Sequence, residues 1–109
     1  MPVKLPCSIA AYFDAGRDGD PDAAAAAFTE TGLVKDEGKL HQGREAIRDW
    51  MAEAAQRYGY TAEPFLVTAE QGRIQVSAHV TGRFPGSPID LRFLFLLAAD
   101  RIAELEITA

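Results

Sequence analysis

The 109-residue sequence predicts an α+β domain, chiefly because its hydrophobic spacing changes near residue 60. Before that point apolar residues recur at three- and four-residue steps, which is typical of helices. After it they alternate with polar residues, which is typical of strands. The later segments are joined by short connections, which favour antiparallel neighbours. The length suits one domain, which we assign to residues 1–109.

The composition excludes several classes of function. The chain is 48% hydrophobic and 25% charged, which is typical of a globular domain with a core. Its net charge of −5 disfavours binding to nucleic acid or to an anionic membrane surface. The uncharged apolar run at residues 93–99 is too short to span a bilayer. The single cysteine, Cys7, cannot form an intrachain disulfide, so with no signal-peptide pattern at residues 1–7 we expect a cytoplasmic protein.

The first half of the sequence predicts three helices. The first begins at Pro6 and ends at Gly19. The second spans about Asp22–Phe28, after Asp20 and Pro21, which suit an N-cap and a first helical position. The third, about Arg44–Tyr58, has the strongest amphipathic pattern. The faces that we expect to be buried are Ile9, Tyr12, Phe13 and Gly16 in the first helix, and Ile47, Trp50, Met51, Ala54 and Tyr58 in the third.

Strands are predicted on both sides of the third helix. Two short ones, Gly32–Asp36 and Leu40–Gln42, flank a Glu37-Gly38 turn. The four longer strands are predicted at about Thr61–Ala69, Arg73–Phe84, Ile89–Ala99 and Ile102–Thr108. The turn signals between them are Gln71-Gly72, Pro85-Gly86 and Ala99-Asp100.

The strand at Ile89–Ala99 is apolar on both faces. Ile89, Leu91, Phe93, Phe95 and Leu97 share one face, and Leu94 and Leu96 join Arg92 on the other. A strand of this kind is covered on both sides. The helices cover one face of the strand, and we expect a second copy of the chain to cover the other face, so that the protein forms a homodimer.

Three stretches carry a resemblance to a known family. They are residues 12–20 (YFDAGRDGD), residues 28–36, which end in Val34-Lys35-Asp36, and residues 43–47 (GREAI). In this order, and followed by the strand meander, they resemble the NTF2-like superfamily. Within it the sequence is most similar to the SnoaL-like branch, which includes ketosteroid isomerases and small polyketide cyclases.

The resemblance implies a fold and a general kind of site. The fold is a cone, in which three N-terminal helices pack on a curved, mostly antiparallel sheet around a central apolar pocket, and convex faces pair in dimers. Isomerases of the branch place a carboxylate general base in that pocket, next to an oxyanion hole. An apolar setting raises the pKa of a carboxylate and strengthens hydrogen bonds to a developing enolate.

By position in the resemblance, Asp36 corresponds to the catalytic aspartate and Tyr12 to the oxyanion-hole tyrosine. Asp36 has an alternative interpretation as a solvated turn residue, and Tyr12 as a core aromatic. The residues expected to line the pocket are Trp50, Met51, Phe93, Phe95, Val76 and Ala78.

The sequence departs from the isomerases at one position. Their second, protonated aspartate corresponds to Phe93 or Phe95, so half of the oxyanion hole is missing. Loss of one such donor typically costs about 10²–10³ in rate, which argues against ketosteroid isomerisation itself. The Asp-Arg-Asp set of the superfamily's epoxide hydrolases has no match in its spacing either.

No metal or cofactor is expected. His41 and His79 lie in separate elements, without the spacing of a metal site, and Cys7 is expected to be inert. We expect His41 near the pocket mouth and His79 on the convex face. The acids at 18, 20 and 22 resemble the start of a calcium loop, but Ala23 and Thr29 occupy its glycine and glutamate positions.

Three functions remain open on this sequence. The first is an isomerase- or cyclase-type enzyme that acts on a small hydrophobic carbonyl compound, with Asp36 as base and Tyr12 as donor. The second is a pocket that binds a small hydrophobic ligand without catalysis. The third is a dimerising interaction module.

Overall fold

The computed structural model describes residues 4–109, apart from the side chain of Glu70. Within them the chain forms three helices, α1 (Cys7–Asp18), α2 (Pro21–Ala26) and α3 (Arg44–Tyr58). The strands are β1 (Phe28–Asp36), β2 (Lys39–Gln42), β3 (Thr61–Glu70), β4 (Arg73–Thr81), β5 (Ile89–Ala98) and β6 (Arg101–Thr108). The predicted α+β class is confirmed. In residues 4–109 no helix combines the length and the apolar character needed to cross a membrane.

The six strands form one sheet in the order β2-β1-β6-β5-β4-β3. The four long strands make the predicted antiparallel meander, and β2 pairs antiparallel with β1. The remaining pair, β1 with β6, is parallel and joins the first and last strands of the chain. The sheet is therefore mostly antiparallel, as expected.

Three predicted boundaries are wrong by two residues or more. The second helix ends at Ala26 rather than Phe28, and the first strand begins at Phe28 rather than Gly32, because Phe28 already pairs with Ile102 of β6. The amide of Ile102 donates to the carbonyl oxygen of Ala27 at 3.0 Å, which holds this segment in the sheet. Strand β4 ends at Thr81 rather than Phe84, because a turn follows in which the Gly82 amide donates to Ser87 Oγ at 3.0 Å.

One side-chain hydrogen bond and a glycine in the left-handed conformation determine where α2 begins. Gly19 ends α1 with a φ of 68°, a conformation that costs glycine little. The carboxylate of Asp20 accepts from the Ala23 amide at 3.1 Å, so Asp20 is the predicted N-cap.

The core lies between the helices and the inner face of the sheet. Tyr12 and Phe13 of α1 pack against Phe93 and Phe95 of β5, with ring centroids 5.1 Å apart for Phe13–Phe93 and 5.8 Å for Tyr12–Phe95. The largest fully buried side chains are Phe28, Phe95, Ile9, Ile47, Ile102, Leu105, Val34 and Val76. Burial of such side chains is the main favourable contribution to folding.

A bulge in β3 places two large side chains on the outer face. Pro64 pairs with Ala78 and Leu66 with Ser77, so Phe65 is the extra residue. Phe65 and Leu66 are consequently both exposed, at 40% and 51%. The Phe65 ring stacks on His79 with centroids 4.3 Å apart, and His79 Nδ1 hydrogen-bonds Asp90. His79 thus lies on the outer face, as expected.

The outer face carries charges of both signs beside apolar side chains. Half-buried Leu94 lies opposite Glu106 of β6, and exposed Arg92 lies two residues away on the same face. The acidic β6 and the arginine of β5 would complement each other if two copies met across a twofold axis. The homodimer through this convex face remains a prediction.

We expect the protein to sediment with twice the 11.8 kDa mass of one chain. Leu94→Lys places an unpaired charge in the expected interface, so it should give a single-chain mass. Ala52→Lys is the control, because Ala52 is exposed on α3 and lies away from the sheet's outer face. A wild-type mass of one chain, or a Leu94→Lys dimer as stable as wild type, would contradict the predicted interface.

The turn after β4 is clasped to the C-terminal end of α3. The Arg83 amide donates to the carbonyl oxygen of Tyr58 at 2.7 Å, and its guanidinium donates to that of Gln56 at 3.3 Å. A cation at this end also interacts favourably with the helix dipole. A Cβ on Gly59 would lie 2.6 Å from Arg83 Nη1, so the guanidinium would have to leave its place beside Gln56, whereas the backbone bond to Tyr58 does not involve it.

Gly59→Ala should lower the free energy of unfolding by about 1 kcal/mol more than Gly72→Ala does. Both glycines have positive φ, 53° and 77°, so both variants carry the left-handed penalty. A Cβ on Gly59 would clash with the guanidinium of Arg83, whereas a Cβ on Gly72 meets nothing within 4 Å. Equal losses in urea unfolding would show that the guanidinium contact with the end of α3 contributes nothing to stability.

Candidate functional site

A cavity of about 540 Å³ opens between α3, the turn after β4 and the sheet. Most of its lining is aromatic or aliphatic, and its size is within the range of small-molecule sites. The lining residues are Asp36, Glu37, Trp50, Ala54, Tyr58, Tyr60, Val80, Phe84, Pro85, Ile89, Leu91, Phe93, Ile107, Thr108 and Ala109.

Asp36 is a half-buried carboxylate on the wall of this cavity. It is the last residue of β1, and the turn that follows has positive φ at Glu37 (52°) and Gly38 (74°). Trp50 Nε1, on α3, donates a hydrogen bond to Asp36 Oδ2 at 3.1 Å. The end of β1 is thereby joined to the middle of α3.

The pKa of Asp36 is raised above its ordinary value, and burial is the largest cause. Negative charge on Glu37 acts in the same direction. The hydrogen bond from Trp50 and the nearby His41 oppose the rise, because both favour the ionised form. The carboxylate is therefore a stronger base than an exposed aspartate.

Tyr60 is a second polar residue on the same wall, and the sequence analysis missed it. Its hydroxyl donates to Met51 Sδ at 3.6 Å, and a thioether is only a weak acceptor. Burial, followed by the charge of Asp36, raises the pKa of Tyr60 to about 12. The phenol therefore stays protonated at neutral pH, and its proton is available to a better acceptor.

A signal for Tyr60 exists in the sequence. It lies between Gly59, which ends α3, and the first residue of β3. Counting by twos along the strand gives Ala62, which packs against the core, so Tyr60 has the parity of the inner face. Tyr60 precedes the first residue of β3, so the alternating pattern of the strand does not include it.

Tyr12 lies behind Tyr60, in the aromatic core. It is 3% exposed, and with Tyr60, Met51 and Phe93 it borders a crevice of about 10 Å³. Burial raises the pKa of Tyr12 well above its ordinary value, and negative charge on Tyr60 or Asp36 would add to the rise. Its role as a hydrogen-bond donor remains a prediction.

The six residues expected to line the pocket lie in three places. Trp50 and Phe93 line the cavity, and Met51 borders the small crevice. Val76, Ala78 and Phe95 lie instead in the closed core, where Phe95 packs against Tyr12 and Phe13 of α1. The cavity lies towards the other end of these strands, where its wall contains Val80, Ile89 and Leu91.

A smaller polar pocket of about 70 Å³ adjoins the cavity and shares the wall formed by Asp36, Glu37, Trp50, Ala54 and Tyr58. Its other lining residues are Lys39, His41, Glu53 and Arg57. His41 lies near the mouth, as expected, with its ring 5.8 Å from that of Trp50. In residues 4–109 no three His, Cys, Asp or Glu side chains are grouped to hold a metal ion.

Comparison with known proteins shows a family and a fold. A family model described as a SnoaL-like domain matches residues 9–105. Among curated proteins, none matches the sequence. The chain is similar to the crystal structure of a candidate polyketide cyclase from Sinorhizobium meliloti, with 42% identity, 95% of each chain covered and a TM-score of 0.91.

Two more distant structures share the fold. A protein of Catenulispora acidiphila with a ketosteroid isomerase-like fold, solved with trimethylamine, is 18% identical with a TM-score of 0.85, covering 97% of this chain and 87% of the other. The epoxide hydrolase/cyclase-like enzyme SalBIII, which is described in pyran ring formation in salinomycin, is 24% identical with a TM-score of 0.74. That match covers 93% of this chain and 86% of SalBIII.

Asp36→Asn should raise the melting temperature at pH 7. The folded-state pKa of Asp36 is raised, so the folded state binds the proton more tightly than the unfolded state, and the wild type loses stability as pH rises between the two pKa values. Asparagine has no charge to bury and can still accept from Trp50. The difference should vanish at about pH 3, where aspartate is protonated, and a lower melting temperature for Asp36→Asn at pH 7 would contradict the raised pKa.

Proposed function

The chain belongs to the SnoaL-like domain family, and on that premise we propose that it is an enzyme that transfers a proton on a small apolar carbonyl compound. The observation that carries the proposal is the pairing of Asp36 and Tyr60 on one apolar cavity wall. Asp36 has a raised pKa, which suits a base, and Tyr60 is a protonated donor. Both groups line the same cavity, so one ligand there could contact both.

The reaction begins with a ligand whose carbonyl oxygen accepts from the Tyr60 hydroxyl in place of Met51 Sδ. The carboxylate of Asp36 takes a proton from the carbon next to the carbonyl, and the electron pair of the broken C–H bond moves to the oxygen as an enolate. Tyr60 stabilises the negative oxygen by its hydrogen bond. Tyr12, buried behind Tyr60, supports the phenol from the core side.

Two outcomes of the enolate are chemically open. Return of the proton from Asp36 to a different carbon of the conjugated system gives an isomer. Alternatively, the enolate carbon attacks a second carbonyl of the same molecule, and the carbon–carbon bond that forms closes a ring. The π pair of that carbonyl moves to its oxygen, which takes the proton from Asp36; this is cyclase chemistry. The 42% identity to a candidate polyketide cyclase supports a substrate with several carbonyl groups.

Phe93 supports the same class of substrate. It lies on the cavity wall and is one of the two phenylalanines, with Phe95, that correspond to the second donor of the isomerases, so the enolate oxygen receives less stabilisation. A carbon between two carbonyls loses its proton more readily than one beside a single carbonyl. The wall therefore suits a substrate that is itself acidic.

The test is hydrogen exchange on 2-tetralone, an apolar bicyclic ketone, in D2O. The wild type should accelerate deuterium incorporation next to the carbonyl, because Asp36 removes that proton. Asp36→Asn should abolish the acceleration, and Tyr60→Phe should lower it by about 10²–10³. Asp22→Asn is the matched control, since the Asp22 carboxylate is exposed on α2.

Binding without exchange would favour the alternative, a non-catalytic pocket for a hydrophobic ligand. It would appear as shifts in the NMR signals of cavity residues on addition of 2-tetralone, with exchange no faster than in buffer. Acceleration that survives Asp36→Asn would also contradict the proposal, because it would assign the proton transfer to another group.

A further inference from the structure

We propose that Trp50 is a positioning residue that holds Asp36 Oδ2 and leaves Oδ1 as the oxygen that accepts the proton. The inference rests on the proposed function, in which Asp36 is the base. Trp50 acts through the carboxylate and needs no contact with the reacting atoms.

The first support is the hydrogen bond between α3 and β1. Trp50 Nε1 donates to Oδ2 at 3.1 Å, and among residues 4–109 it is the one side-chain donor bonded to this carboxylate. Trp50 is only 9% exposed, so its indole orientation is fixed by packing. A rigid donor on one oxygen restricts the carboxylate to one arrangement and leaves the lone pairs of the other oxygen available.

The second support is the place of the pair between two pockets. Asp36 and Trp50 line both the apolar cavity and the smaller polar pocket. An unrestrained carboxylate at such a wall would turn towards Lys39 and the imidazole of His41 in the polar pocket, where it is better solvated. The indole N–H competes with them and keeps the carboxylate at the shared wall.

The surroundings of the pair reinforce the restraint. The His41 ring packs on Trp50 with centroids 5.8 Å apart and planes tilted by 30°, from the side of the polar pocket. The other titratable or charged groups that act on Asp36 or share a pocket wall with it are Glu37 in the turn, Tyr60 and Tyr12 on the core side, and Lys39, Glu53, Arg57 and Tyr58 around the polar pocket. The backbone hydrogen bond from Glu37 also favours the ionised carboxylate. Among residues 4–109 Trp50 is hydrogen-bonded to none of these groups, so removing the indole N–H isolates one interaction.

Trp50→Phe keeps an aromatic ring in the wall and removes the donor. Because the lost bond favours the ionised form, the NMR titration midpoint of Asp36 should rise by about one pH unit. In the 2-tetralone assay the pH profile should move by the same amount, with a lower kcat and little change in KM. Asp49→Asn is the control, because Asp49 precedes Trp50 on α3 but is exposed and lines neither pocket.

An unchanged Asp36 midpoint in Trp50→Phe would overturn the proposal and leave Trp50 as a core residue. The titration needs no activity, so it can succeed when the exchange assay fails, and the two proposals are separable. A wild-type measurement covers the case in which the variant does not fold. The chain has one tryptophan, so its indole N–H signal is unambiguous and should shift with the midpoint of Asp36; an indole signal that does not respond would also overturn it.

Discussion

The helices cover only part of the inner face of the sheet, and the cavity is the part that they leave uncovered. Under α1 the strands supply closed core, as at Phe95, which packs against Tyr12 and Phe13. Further along the inner faces of β4 and β5, Val80 and Leu91 line the cavity. A six-stranded sheet presents more apolar surface than three short helices can cover, and the turn after β4, clasped to α3 through Arg83, closes only the rim. The site exists because this coverage is incomplete.

The apolar wall acts on its two polar groups in the same direction. It raises the pKa of Asp36, which strengthens a base, and it raises the pKa of Tyr60, which keeps a donor protonated. Water would weaken both effects, because it would solvate the carboxylate and compete for the phenol. Under the proposed function, the same environment therefore favours both the base and the donor at one pH.

Sequence patterns predict which face a residue lies on better than where along that face it lies. Alternation places Val76, Ala78 and Val80 on the inner face, but only tertiary packing decides that Val80 lines the cavity while Val76 lies in the core. Asp36 could be found because a turn and a family motif mark it. Tyr60 has the parity of the inner face, but this signal does not assign it a role, because that role depends on Asp36, which is distant in sequence. The parallel pairing of β1 with β6 has no local signal either, since it joins residues more than 60 positions apart.

A partly buried carboxylate such as Asp36 is a destabilising acceptor for the indole N–H of Trp50, and this argues for a chemical role. A buried indole N–H needs an acceptor, but an asparagine oxygen would serve without a charge. A solvated turn residue would not have its pKa raised by burial, so the turn alone does not explain the residue either. The structure holds a carboxylate where neutral pH makes it destabilising, and a rigid side-chain donor is bonded to one of its two oxygens. Both observations support the proposed role of base, because that role requires both the charge and the restraint.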